Sequence, residues 1–349
     1  MFEKRARVLG FALVLAAGLA MASRGAPAAG SSGRSVRRTP LPDGVLIGYE
    51  WTDARGARRV IDLPVSNSAL EASELALGFS IEELESFLVA AEAGIREEMG
   101  ISALDLARGV VSRISDPEQC RVEGDPGNEY QIVLKTSSAG RPVEQAEIDR
   151  VVAAFRRRWE ASRKAVCARL QARLKDYAGD HGMEVTPHGI AVDYKRLVRD
   201  SASRLRPLAE VFRRRFGPAK RDLLEALYSF VLSIPNRPIP PAVDGRYTAG
   251  VSVPLRVLAD DRADCDSKAV LFAALWLNLC NRRTVLIRVP EHMLVGVAVP
   301  FGDGTWIDIG STRYLLLELS CASQAAPGEI SLYSAEALAA RNCKYRIVS

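Results

Sequence analysis

The stretch Ala269-Val270-Leu271-Phe272-Ala273-Ala274-Leu275-Trp276-Leu277 constrains this chain more than any other, because it is apolar on every side over a helical length. Such a helix belongs in a core. The residues before it, Arg262-Ala263-Asp264-Cys265-Asp266-Ser267-Lys268, are largely polar and place Cys265 at the helix N-terminus. Unsatisfied N–H groups and the helix dipole there favour a thiolate over a thiol, and a thiolate is the better nucleophile at neutral pH. Asp264 and Asp266 oppose that shift as like charges, so one of them is expected to cap the helix rather than to touch the sulfur.

A sulfur nucleophile needs a proton acceptor and donor, and the chain has three histidines, His181, His188 and His292. His292 is the best placed. It opens the strand pattern Met293 to Val299, which follows the helix and a first strand, Thr284 to Val289, so helix N-terminus and strand start can meet across a core. His181 and His188 read as surface residues. An acid should fix the imidazole tautomer, and Asp308 and Glu318 both qualify. Phe301-Gly302-Asp303-Gly304 reads as a hairpin turn that puts Trp306 and Asp308 on the returning strand. Glu318 stands within the apolar strand pattern Tyr314 to Ser320, where a charge needs a partner.

The order Cys, His, acid resembles the transglutaminase-like superfamily. Three pieces carry the resemblance: Asp264-Cys265-Asp266-Ser267-Lys268-Ala269, the His292 strand, and Tyr314-Leu315-Leu316-Leu317-Glu318-Leu319-Ser320. The last is similar to the family's aromatic-x-x-x-Asp-x-Thr strand, and its spacing favours Glu318 over Asp308 as third member. The resemblance spans about residues 220 to 322. It implies an α+β fold with a papain-like core, in which the Cys-bearing helix packs on an antiparallel sheet. It also implies acyl transfer on a protein or peptide substrate through a thioacyl enzyme, most often as a peptidase or amidase, otherwise as a cross-linking acyltransferase, and no cofactor or metal. The Cys265 backbone N–H would be one oxyanion donor, with Asn236 and Tyr247 as candidates for a second. Ala263 before the acid–Cys pair, Met293 after the histidine and Glu318 in place of aspartate depart from the family pattern. Those departures support the alternative, a degenerate module that binds peptide or cell-envelope partners.

The remainder of the chain sets the context. Of its 349 residues, 48% are apolar and 26% charged, enough for one large or two ordinary domains. Lys4, Arg5 and Arg7 precede the apolar run Val8 to Ala22, which is shorter than a spanning helix and ends in Ala20-Met21-Ala22. Residues 1–22 therefore read as an export signal for a periplasmic or secreted protein, with an N-terminal membrane anchor as the alternative. Residues 23–43 read as a flexible linker, 44–215 as a mixed α/β region of unassigned function, and 220–349 as the transglutaminase-like domain.

Within the first region the pattern predicts strands over Val45–Trp51 and Arg58–Val65, a helix over 80–97 capped by Ser80 and Glu83, and a short strand over Gln131–Lys135. A long helix over Pro142–Tyr177, a strand over Met183–Tyr194 and helices over Lys195–Arg215 and Arg221–Ser233 follow. Pro235 to Pro241 holds four prolines and predicts a stiff extended crossing.

Removing Lys4, Arg5, Arg7 and Glu3 from the formal charge of +5 leaves +3, a bias too mild to imply nucleic acid. Arg156, Arg157, Arg158, Arg163, Lys164, Arg169 and Arg173 form the densest basic face. It lies over the apolar positions Ile148, Val151, Val152, Phe155, Trp159, Val166, Leu170 and Leu174, as on a solvated amphipathic helix. No phosphate loop, G-x-G-x-x-G, H-E-x-x-H or G-x-S-x-G occurs, and the six cysteines include no C-x-x-C. Cys280 reads as a buried helical thiol, leaving Cys120 with Cys167 and Cys321 with Cys343 as candidate pairs.

Overall fold

The computed structural model describes residues 34–98, 120–123, 131–134, 145–187, 189–243, 245–320 and 325–348. In chain order the elements are β1 (Ser35–Leu41), β2 (Gly44–Thr52), β3 (Arg58–Ser66), α1 (Asn67–Leu75), β4 (Phe79–Ser80), α2 (Ile81–Glu98), β5 (Cys120–Glu123) and β6 (Gln131–Leu134). Then come α3 (Gln145–Asp180), β7 (Met183–Thr186), β8 (Gly189–Val192), α4 (Tyr194–Phe216), α5 (Lys220–Ser233), β9 (Ala242–Val243) and β10 (Arg246–Tyr247). The C-terminal part holds α6 (Pro254–Asp260), α7 (Cys265–Cys280), β11 (Thr284–Val289), β12 (His292–Val297), β13 (Trp306–Ile309), β14 (Thr312–Leu317), α8 (Leu332–Ala339) and β15 (Lys344–Ile347). The chain is α+β with antiparallel sheets.

Two compact units form, one from the residues up to Ile81 together with those from Ala178 onward, the other from Glu82 to Tyr177. The expected boundary at 215–220 is thus not where the packing divides. The reason is the demand of the apolar helix α7, which is buried from Ser267 through Trp276 and packs on α4, α5, α6 and β12. Helix α4 belongs to the same core, burying Leu197, Val198, Leu205, Leu208 and Phe212 on one face.

In this first unit, β1, β2 and β3 make an antiparallel sheet whose inward positions Ile47, Tyr49, Trp51, Ile61, Leu63 and Val65 alternate with more exposed ones. Phe230 of α5 meets Tyr49 and Trp51 edge-on, each at 5.2 Å between ring centroids. The Trp51 indole N–H donates to Ser229 Oγ at 3.0 Å, and the Tyr49 hydroxyl donates to the Leu258 carbonyl at 2.6 Å.

Strand β1 corrects the expectation of a flexible linker over 23–43 in its described part, 34–43, while residues 1–33, with the expected export signal, lie outside the described residues. Its side chains lack apolar alternation because it is an exposed edge strand, held by backbone pairing from Ser35↔Glu50 to Leu41↔Gly44. Pro40 is tolerated at such an edge. Arg34 anchors its start: the guanidinium, 2% exposed, pairs with Asp261 and stacks over Tyr49 at 5.0 Å.

The five-stranded sheet runs β13-β14-β12-β11-β15, antiparallel throughout. One face carries Val285, Ile287, Leu294, Tyr314 and Leu316, against which Ala337 and Leu338 of α8 pack. Gly296 permits the close approach at the centre, since a Cβ there would stand 2.6 Å from Val285 Cγ1. The sheet order corrects a second expectation. Residues 301–304 do not make a hairpin returning onto β12, because β14 takes that place and β13 pairs with β14 alone. Likewise Met183 to Tyr194 is not one strand: β7 and β8 form a hairpin, and Tyr194 opens α4. The proline-rich crossing does run extended, bridging Asn236 to Ala263 beside the start of α7.

The second unit contains most of α2 and α3 and the β5–β6 ladder. Phe87 stacks on Tyr177 at 4.3 Å, and Glu98 pairs with Arg169 and Arg173. Val166 and Leu174 are buried as the helical stripe requires, whereas Trp159 is 37% exposed. The side chains of Ile148, Val151, Val152 and Phe155 lie outside those described. Arg156, Arg157, Arg163, Lys164 and Arg169 are exposed, as a solvated face demands.

Candidate functional site

Helix α7 begins at Cys265 because Asp264 stops it on the N-terminal side: its carboxylate accepts the Ser267 N–H at 2.9 Å. Asp264 is therefore the capping acid. The second acid, Asp266, does touch the sulfur, and the Cys265 thiol donates to its Oδ1 at 3.3 Å. The Tyr194 hydroxyl, from the first residue of α4, donates to the other oxygen, Oδ2. Nothing in the sequence distinguished Tyr194.

His292 is set by a two-residue turn, Pro290–Glu291, that joins β11 to β12 with Val289 opposite His292. Glu291 sits at φ 55, a left-handed conformation uncommon for a non-glycine residue. The next residue brings the sheet toward the sulfur: β12 packs against α7, and the Met293 backbone N–H acts on Cys265 to favour its ionised form. Cysteine and histidine thus belong to adjoining parts of one site.

Glu318 lies just beyond β14 and meets the imidazole, with Nε2 to Oε1 at 3.0 Å and side-chain exposures of 14% for His292 and 5% for Glu318. A carboxylate only accepts, so Nε2 carries the hydrogen. Ser331 completes the carboxylate's shell, its N–H donating to Oε2 at 2.7 Å and its hydroxyl to Oε1 at 3.0 Å. Ser320 Oγ stands 3.5 Å from both ring nitrogens, a weak contact. Behind the pair, the Tyr228 hydroxyl donates to the Glu318 carbonyl at 3.1 Å, and the buried Lys268 ammonium donates to the Leu319 carbonyl at 3.0 Å. Helices α5 and α7 are thereby fastened to the end of β14.

The two carboxylate environments have opposite electrostatics. Burial raises the Glu318 pKa, but hydrogen bonds from His292 and Ser331 outweigh it and hold the carboxyl below its ordinary range. Burial and the Asp266 charge push Asp264 up to about 6. Cys265 is raised most of all, by burial first and then by Asp266 and Asp264, with the Met293 N–H pulling the other way. This corrects the expectation of a resting thiolate: the dipole of α7 is outweighed by desolvation and two like charges, and the sulfur rests as a thiol.

Asp308 does not join this group. It is exposed on β13, opposite Arg313, and β14 separates its strand from β12. Asn236 is exposed while its backbone bridges Ala263, two residues before the cysteine, and the Tyr247 ring packs on Phe79 at 5.7 Å. His181 lies edge-on to Phe79 at 6.2 Å, and His188 lies outside the described residues. Cys167 and Cys343 are free thiols, and their expected partners, the Cys120 side chain and Cys321, lie outside those described. Cys265 and Cys280 are free as well, and Cys280 is buried as expected. Among the described residues no group of three His, Cys, Asp or Glu side chains is arranged to hold a metal ion. Nor, among them, is any helix long and apolar enough to cross a membrane.

No family model, curated protein or solved structure matches this chain.

Proposed function

We propose that this chain is an exported, transglutaminase-like cysteine enzyme acting on amide bonds of a protein or peptide, with Cys265 as nucleophile, His292 as acid and base, and Glu318 as the group that orients His292. The carrying observation is the His292–Glu318 pair at 3.0 Å, at the start of the strand β12 that packs against the Cys265 helix α7. A Cys-bearing helix against an antiparallel sheet supports the papain-like core. The apolar run after Lys4, Arg5 and Arg7 supports export.

With Nε2 committed to Glu318, Nδ1 takes the thiol proton as Sγ attacks the carbonyl carbon, and Glu318 stabilises the imidazolium that forms. The imidazolium then returns that proton to the leaving amine, and a thioester to Cys265 remains. Water releases an acid in a peptidase or amidase, whereas an amine gives a new amide in a cross-linking acyltransferase. The Cys265 backbone N–H, at the first position of α7, is free of helical pairing and suits the oxyanion.

One observation favours a second reading, a noncatalytic module that binds peptide or envelope partners in the same cleft. The resting thiol donates to Asp266 rather than to the imidazole. Two assays on the purified full chain separate the readings: hydrolysis of fluorescein-labelled casein, and incorporation of monodansylcadaverine into casein. Turnover in either one, lost in Cys265→Ala, is the expected result. Absence of both from the wild type, or equal turnover in the variant, would overturn the catalytic reading.

A further inference from the structure

We infer that Asp266, held in place by Tyr194, is a positioning residue that keeps the proton on Cys265, so that the nucleophile is released only when this hydrogen bond is broken. The inference rests on the proposed role of Cys265 for its consequence, while its geometry stands alone. Both oxygens of Asp266 are engaged, Oδ1 by the thiol at 3.3 Å and Oδ2 by the Tyr194 hydroxyl. The donors come from different helices, because Tyr194 opens α4 and Cys265 opens α7, and α4 packs along α7. An acid at the second position of a helix ordinarily serves the dipole from a solvated side chain. Here it is tied on both sides and committed to a neighbour's proton.

The groups around the sulfur come from every element packed against it. Helix α7 supplies Asp264 and Asp266, α4 supplies Tyr194, β11 and β15 supply Arg288 and Arg346 toward Tyr194, Arg346 being paired with Glu184, and β12 supplies the Met293 N–H with His292 next to it. Glu318 acts through His292, whose Nε2 it holds. Arg288 is exposed, so solvent screens it. Of the two acids of α7, Asp266 accepts the thiol hydrogen, while Asp264 accepts the Ser267 N–H. Ionising Cys265 in this arrangement would place a thiolate against a carboxylate. A substrate group that draws Asp266 away would remove that opposition as the carbonyl arrives.

The test is the rate of carbamidomethylation of Cys265 by iodoacetamide across about pH 5 to 11, read by mass spectrometry of the Cys265 peptide in the full chain, the midpoint being taken as the pH at which Cys265 reaches a fixed small fraction of the rate of the exposed Cys167. Cys167 and Cys343 then serve as internal references. Asp266→Asn is expected to move the midpoint down by about one pH unit or more, which is about a tenfold faster reaction near neutral pH. Asp264→Asn keeps the cap, since asparagine caps as well as aspartate, and is expected to move the midpoint less. Tyr194→Phe is expected to shift the midpoint in the wild-type background and to leave it unchanged in Asp266→Asn.

An unshifted Asp266→Asn, an equal shift in Asp264→Asn, or a Tyr194→Phe effect that persists without Asp266 would each overturn the inference. Should Asp266→Asn fail to fold, Tyr194→Phe alone decides, because an unchanged midpoint there removes the proposed support. A shifted midpoint in a chain that turns over neither casein substrate would keep this role for Asp266 and end the catalytic reading. Casein turnover with an unshifted midpoint would do the reverse.

Discussion

The strand side and the helix side of the site solve opposite problems with the same residue types. On the strand side, Glu318 is buried yet held charged, because His292 and two groups of Ser331 donate to it. On the helix side, Asp264 and Asp266 crowd a half-buried sulfur, and the sulfur keeps its proton. Burial acts on both sides, pushing Glu318, Asp264 and Cys265 in the same direction, so it does not explain the contrast. What differs is the neighbour facing each acid: Glu318 meets His292, whereas Asp264 meets the like charge of Asp266. A helix N-terminus is thus no guarantee of a thiolate: its dipole is a partial charge, and two full charges beside it outweigh it.

The comparison breaks most sharply if Glu318 is removed. Glu318→Ala leaves His292 without its acceptor and the Ser331 N–H unpaired, and casein turnover is expected to fall by about 10²- to 10⁴-fold, measured as kcat/KM. A fall below tenfold would mean that the strand side does not orient the imidazole. On the helix side the expected sign reverses. Asp264, raised to about 6 in the fold, binds its proton more tightly than in the unfolded chain, so its contribution to stability is full below about pH 4 and is lost as pH rises through 6. Asp264→Asn is therefore expected to gain on the order of 1–3 kcal/mol over the wild type at pH 8 relative to pH 4, in urea unfolding at the two pH values. A gain that does not depend on pH would point to packing instead.

Smaller effects sharpen the same contrast. Ser331→Ala removes a donor to Glu318 and the cap of α8, where the Ser331 hydroxyl accepts the Ser334 N–H at 3.2 Å. A loss of about 1–2 kcal/mol is expected from its thermal transition, with a decline in turnover because Glu318 is less firmly held. Tyr228→Phe removes one buried hydrogen bond to the Glu318 carbonyl, and about 1 kcal/mol is expected from urea unfolding. Turnover largely unchanged in that variant would assign Tyr228 to the fold rather than to the site.

Much of the site was legible before any coordinates. The apolar run after Lys268 announced a core helix, Asp264 announced its cap, and the runs Thr284–Val289 and Met293–Val299 announced the strands that begin and follow at His292. These signals are local, since each follows from backbone periodicity or from a hydrogen bond spanning three residues. The choice between Glu318 and Asp308 is narrowed by the charge within an apolar strand pattern and by the motif spacing that the resemblance implies. It is fixed in the structure by β14 lying between β12 and β13, a pairing that no stretch of a dozen residues encodes. Strand β1 was missed for a related reason: an edge strand is held by its neighbour's backbone, and its own side chains need show no pattern.

The sequence by itself determined that the apolar run after Lys268 would be a core helix, that Cys265 would stand at its start, and that His292 would open a strand. Only the tertiary structure decided that Glu318 meets the histidine, that Tyr194 reaches Asp266 from 72 residues away, and that the sulfur rests protonated. Secondary structure follows from nearest-neighbour periodicity. A titratable group's charge follows from burial and from the donors and charges that packing brings to it, and those arrive from distant parts of the chain.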